Sequence, residues 1–268
     1  MDFHEQYDSI KHLVEEYLFD FLKRKDDGTK IFEAIKYSCE GAGKRMRPVL
    51  AYATVEMLGG KAIDALPFAI AIELIHTYSL IHDDMPCMDD DDERRGKPTV
   101  HKKFGENIAL LAGDSLQSLA FEAALESQIN PYIVIECMQT ISTAATKMVH
   151  GQELDLSTRK KTVEELVKLN SLKTGALISA SVWVGGLVGG APIDKYEDLG
   201  TFAKNIGLAF QLKDDMLDND GFLEVITMEQ AKKMLEELNE EAKFAIHEEK
   251  EKSFFLQDFA NWLIEREK

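Results

Sequence analysis

Apolar residues in this chain return at intervals of three and four, and that habit excludes most folds. Ile10, Leu13, Val14, Tyr17, Leu18 and Phe21 fall on one face of a 3.6-residue helix, and 33–40 repeats the pattern. Residues 46–58 continue it after Pro48, whose missing N–H costs nothing in a first helical turn. Gly59 and Gly60 then stop it. A long apolar helix is expected over 65–82. Further helices are expected over 107–127, 131–154, 163–190 (open to a break), 193–218, 227–249 and 254–266. Period-two runs of Val, Ile and Thr are scarce, so essentially no sheet is expected, and no fixed-period repeat is visible.

Of the 268 residues 45% are hydrophobic, which is ample for a core, and the 6 prolines form no linker, so one domain over 1–268 is expected. A net charge of −17 makes nucleic acid and anionic membranes poor partners. An anionic ligand would need a local basic patch or a bound metal. Cys39, Cys87 and Cys137 show no zinc-type spacing, and unpaired cysteines fit a reducing, cytoplasmic setting, where they are expected to be buried and inert. The opening MDFHEQYDSIKHLVEE is too charged for a signal peptide. Residues 174–193 carry no charge and approach membrane-spanning length, but they hold Thr174, Ser179, Ser181, five glycines and Pro192. They read as a buried core helix, with no stable membrane insertion.

The chemistry lies in two acidic clusters. Asp83, Asp84 and Asp89 close one long apolar helix, and Asp214, Asp215 and Asp218 close another. Asp214 and Asp218, four apart, share a helical face, where like charges repel unless a cation sits between them. A hard divalent ion such as Mg2+, taking carboxylates, waters and phosphate oxygens, is the natural one. One acidic run in so acidic a chain is most simply a solvated turn; two, each ending an apolar helix, are not. DNDGFLE looks like a calcium-loop fragment, but its register would put Met216 and Thr227 at ligand positions.

Basic residues alternate with these clusters. GAGKRMRP sets Lys44, Arg45 and Arg47 at a helix start, without the spacing or preceding strand of a P-loop. Arg94 and Arg95 follow the first cluster directly, so a polyanion would meet metal on one side and guanidinium on the other. His76 lies two helical turns before Asp83. Lys173, Thr174 and Gln211 border apolar runs, and Gln152 and Asp155 form an i,i+3 pair suited to an internal hydrogen-bond network. Taken singly, each of these is an ordinary surface or core residue.

LIHDDMPCMDDDDERRGKPTVHKKFG closely resembles the first aspartate-rich motif of the trans-polyprenyl diphosphate synthases, especially the bacterial farnesyl diphosphate synthases. GKRMRP, HGQELDL, LKTGALI, FQLKDDMLD and FANWLIERE resemble that family's other motifs in the same order, so the similarity spans nearly the whole chain. The resemblance implies an all-α, single-domain helical bundle of the isoprenoid synthase type around a deep central cavity, usually a homodimer. It implies a prenyltransferase that condenses isopentenyl diphosphate with an allylic diphosphate, and three Mg2+ ions. Asp83, Asp89 and Asp214 then match direct metal ligands, with Asp84, Asp215 and Asp218 nearby. Lys44, Arg47, His76 and Arg95 match binders of isopentenyl diphosphate. Arg94, Lys173, Thr174 and Gln211 match contacts to the allylic diphosphate or its cation.

Tyr78 lies five residues before Asp83, roughly 7.5 Å along a helix, where an aromatic ring floors such a cavity and favours a farnesyl product. A smaller residue there fits geranylgeranyl synthases. In the family a glycine-rich, lysine-bearing loop follows DDMLD; here DNDGFLEV follows almost at once, some two dozen residues short by that resemblance. Either a segment is left out and the numbering closed over it, or the deletion is real and the chain is a weak enzyme or a non-catalytic partner subunit. GFLEV resumes the family pattern midway, which favours the first reading.

Overall fold

Side-chain oxygens set where several of the helices begin. In α1 (Phe3–Lys25) Asp2 and Glu5 form a capping box, and Lys23, Arg24 and Lys25 complement the dipole at the other end. Thr29 caps α2 (Lys30–Cys39), and Thr162 with Glu165 boxes α8 (Val163–Asn170). Thr227 with Gln230 does the same for α11 (Met228–Ala245). The structure, a computed structural model, describes residues 2–40, 43–157 and 162–266. Its other helices are α3 (Met46–Leu58), α4 (Leu66–Asp83), α5 (Val100–Phe104), α6 (Glu106–Leu125), α7 (Pro131–Ser157), α9 (Ala176–Gly189), α10 (Tyr196–Asp218) and α12 (Phe254–Glu265).

The core forms around α4. This helix is apolar nearly all round, so it is covered on all sides, with α3 and α6 its main neighbours. α9 packs against α3, α7 and α10, and α10 against α11. Glu73 is a charged residue in the middle of α4. It is buried and receives Arg45 Nη1 at 2.7 Å, while Arg45 Nε reaches Glu15 at 3.2 Å. Arg45 thus serves the core, unlike its neighbours Lys44 and Arg47.

The structure departs from the sequence reading in three places. A two-residue ribbon, β1 (Glu93–Arg94) with β2 (Lys97–Pro98), stands where no sheet was expected. Its turn residues Arg95 and Gly96 have φ of 54° and 74°. Positive φ at both is the signature of a type I′ turn, which needs Gly96 and holds Arg95 at the tip. The break left open in the helix over 163–190 is a π-helical turn, Ser171–Gly175, between α8 and α9. The helix expected over 227–249 stops at Ala245, because HEEKEK offers no apolar residue to hold a further turn against the core; a 3-10 segment, His247–Ser253, follows. Cys39 and Cys137 are buried, which pushes both thiols up to about 12, but Cys87 is exposed.

Among the described residues, three stretches are long and apolar enough to cross a membrane by composition. The apolar windows of Ala62–Asp83 and Val163–Gly189 are 78% and 61% buried inside the fold, against 44% for Glu106–Leu125. α6 is therefore the apolar helix with most surface left uncovered.

Candidate active site

A cavity of about 960 Å³ collects residues from many parts of the chain, α7 among them. Lys44 and Arg47 come from the start of α3, His76, Tyr78 and Asp83 from α4, and Arg94 and Arg95 from the ribbon. Lys173 and Thr174 come from the π-helical turn, Asp214 from α10, and Arg266 from the residue just past α12. The fold thus brings most of the sequence-derived candidates into one space.

One side of this space is basic. His76 is held well below its ordinary value, first by burial and then by the guanidiniums of Arg47, Arg95, Arg94 and Arg45. Arg47 Nε is buried without a protein partner, and burial pulls the Lys44, Arg47 and Arg95 values down. Cations crowded out of water against one another need an anion. Arg45 and Arg95 both hold left-handed backbones, with φ of 55° and 54°, a conformation that costs non-glycine residues about 1 kcal/mol or more.

The facing acidic residues divide into two kinds. Asp84 is buried and bound to Arg94 at 2.5 Å. Asp215 is buried and accepts from Gln211 Nε2 at 2.7 Å and from the Phe222 N–H at 2.9 Å. Both turn into the protein, against these partners. Asp83 faces the cavity, pushed up to about 6 by burial, with Asp89 and Asp84 adding to the rise. Asp89 is exposed, and its N–H donates to the Asp83 carbonyl at 2.9 Å. Asp214 faces the same cavity and is raised by burial, though Arg266 Nη2 sits 2.7 Å from its Oδ1; Asp218, four residues on, is exposed. An all-oxygen donor set in which carboxylates resist ionising is what a hard divalent cation relieves, so these residues fit Mg2+.

The π-helical turn is set by close packing. A Cβ on Gly151 of α7 would lie 2.2 Å from the Lys173 N, and one on Gly207 of α10 would lie 3.0 Å from the Gly175 Cα. Pressed from both sides, the turn points Lys173 and Thr174 into the cavity. Lys173 Nζ binds Asp155 at 2.6 Å. Thr174 Oγ1 donates to Gln211 Oε1 at 3.0 Å. Because Asp215 takes the Gln211 amide N–H, the amide must present its oxygen to Thr174, which leaves the hydroxyl lone pairs to the cavity.

Two placements differ from expectation. Gln211 lines a second pocket of about 340 Å³ and reaches the main cavity only through Thr174. Gln152 and Asp155 do not bond to each other: Asp155 holds Lys173, and both amide atoms of the Gln152 side chain are buried at the cavity without a protein partner. Arg266 escaped sequence reasoning, because it lies 52 residues from Asp214 and no local pattern links the two.

A family model described as Polyprenyl synthetase matches residues 29–241. The chain is 47% identical over 202 residues to a farnesyl diphosphate synthase of Micrococcus luteus, covering 74% of this chain and 69% of that protein. It is 44% identical over 223 residues to the farnesyl diphosphate synthase of Geobacillus stearothermophilus, covering 81% and 75%. A geranyltransferase from Legionella pneumophila superposes with a TM-score of 0.94 at 32% identity, covering 99% of this chain and 97% of that one. With its motifs gathered about one cavity in the all-α isoprenoid synthase fold, the chain belongs to the polyprenyl synthetase family and is a prenyltransferase.

Proposed function

We propose that the chain is a farnesyl diphosphate synthase, joining isopentenyl diphosphate to dimethylallyl and then geranyl diphosphate. The observation that carries this reading is a single cavity shared by Asp83, Asp214, the guanidiniums of Arg47 and Arg95, and Tyr78. Three Mg2+ ions, held by Asp83, Asp89 and Asp214 with Asp218 close by, would neutralise the diphosphate that leaves when the allylic C–O bond breaks. Arg94 and Lys173 hold that diphosphate beside the acidic side. Thr174, its proton given to Gln211, turns oxygen lone pairs toward the allylic cation in a space poor in water. Lys44, Arg47, His76 and Arg95 orient isopentenyl diphosphate so that its double bond attacks the cation. His76 enters neutral and can take up a proton as the second diphosphate arrives. The proton shed after condensation goes to an oxygen of the departed diphosphate, so the reaction needs no dedicated protein base.

Tyr78 supports a C15 limit. It is buried, its ring meets His82 edge-on at 5.7 Å between centroids, and it lies one and a half turns from Asp83. We further propose a homodimer in the cytoplasm. α6 exposes Leu110, Leu111, Phe121 and Leu125, an apolar face suited to a second copy. A second reading, a non-catalytic partner subunit, is favoured by one feature: residues 219–227 join α10 to α11 with no basic side chain to hold a diphosphate. Incubation with isopentenyl and dimethylallyl diphosphates and Mg2+, followed by chain-length chromatography, separates the readings. A C15 product supports the proposal, C20 makes the chain a geranylgeranyl synthase, and binding without turnover makes it a partner subunit.

A further inference from the structure

Outside the cavity, on the loop that carries Arg94 and Arg95, Asp90, Asp92 and His101 bring ligand atoms within 4.8 Å of one another. Two exposed aspartates alone would mean nothing. His101 changes this, because it is 6% exposed and its Nε2 is buried without a hydrogen-bond partner. Thr99 Oγ1 donates to the Asp91 carbonyl at 2.8 Å and lies 3.1 Å from His101 Nδ1. Nδ1 is therefore engaged by Thr99 and Nε2 is the ring nitrogen left unpartnered, the arrangement in which a hydrogen bond at one imidazole nitrogen orients the other toward a metal. Lys102 Nζ binds Asp92 Oδ1 at 2.7 Å, which leaves that carboxylate further lone pairs.

We infer that Asp90, Asp92 and His101 form a second divalent-cation site, separate from the catalytic aspartates. One nitrogen and two carboxylate ligands suit Zn2+, Co2+ or Ni2+ better than Mg2+, which prefers oxygen throughout. The site joins the two sides of the ribbon, since Asp90 and Asp92 precede Glu93 and His101 follows Pro98. A bound ion would brace the turn that holds Arg95.

The test is calorimetric titration of Co2+ into the full chain in millimolar Mg2+. One equivalent should bind in competition with Mg2+, with Asp90→Asn and His101→Gln each weakening it by about tenfold or more and Asp83→Asn leaving it unchanged. No binding above Mg2+, binding that survives Asp90→Asn, or binding lost in Asp83→Asn would overturn the inference. If the buried His101→Gln variant does not fold, the surface variant Asp90→Asn decides alone.

Discussion

Gly151→Ala offers a sharp test of how the active site is positioned. The new Cβ would lie 2.2 Å from the Lys173 N, about 1.2 Å short of the 3.4 Å at which ordinary contact begins. The obstacle is backbone, so no side-chain rotation relieves it. The π-helical turn must move by about that distance, dragging the Lys173–Asp155 and Thr174–Gln211 contacts with it. A displacement near 1 Å at positioning groups costs about 100-fold in rate, or ~2.7 kcal/mol. Overpacking costs about 1–3 kcal/mol in stability, and the better helix propensity of alanine returns about 1 kcal/mol. The expected variant is folded, destabilised by about 0–2 kcal/mol in urea, and about 100-fold slower. Gly207→Ala, with 3.0 Å to the Gly175 Cα, should be milder. A Gly151→Ala enzyme within threefold of the wild-type rate would refute the idea that this contact sets the turn.

Three further outcomes follow from the site and the core. Tyr78→Ala should shift product from C15 toward C20, read by chromatography, because it removes a buried ring from the cavity wall. Metal binding should weaken as pH falls through about 6: the folded, metal-free protein holds the Asp83 carboxyl above its usual range, so binding must expel a proton there, and Mg2+ titrations at pH 5.5 and 7.5, values on either side of about 6, check the sign. Arg45→Met should lower stability by about 3–5 kcal/mol in urea unfolding, because it strands the buried Glu73, and adding Glu73→Gln should recover part of the loss.

Much of this architecture was legible because helical periodicity is local. The faces of α1 and α10 and the two aspartate clusters at helix ends can be read within a few residues of each other. What stayed hidden depended on distant partners. The π-helical turn lies inside one continuous helical pattern, and its cause is Gly151, some twenty residues earlier on another helix. The resemblance set Asp83, Asp89 and Asp214 apart from the other three aspartates, but only the structure gave Asp84 to Arg94 and Asp215 to Gln211. Arg266 met Asp214 only through the packing of α12 beside α10. The ribbon at 93–98 is too short to carry a period, although Gly96 was its one visible mark.

The account rests on Asp83 and Asp214 sharing metal across one cavity. Anomalous diffraction from crystals grown with Mn2+ and an unreactive allylic thiodiphosphate tests this most directly. The account predicts anomalous peaks against Asp83 and Asp214, with the diphosphate between them and Arg94 and Lys173 on its free oxygens. A diphosphate bound in the cavity with no metal on either aspartate would contradict it.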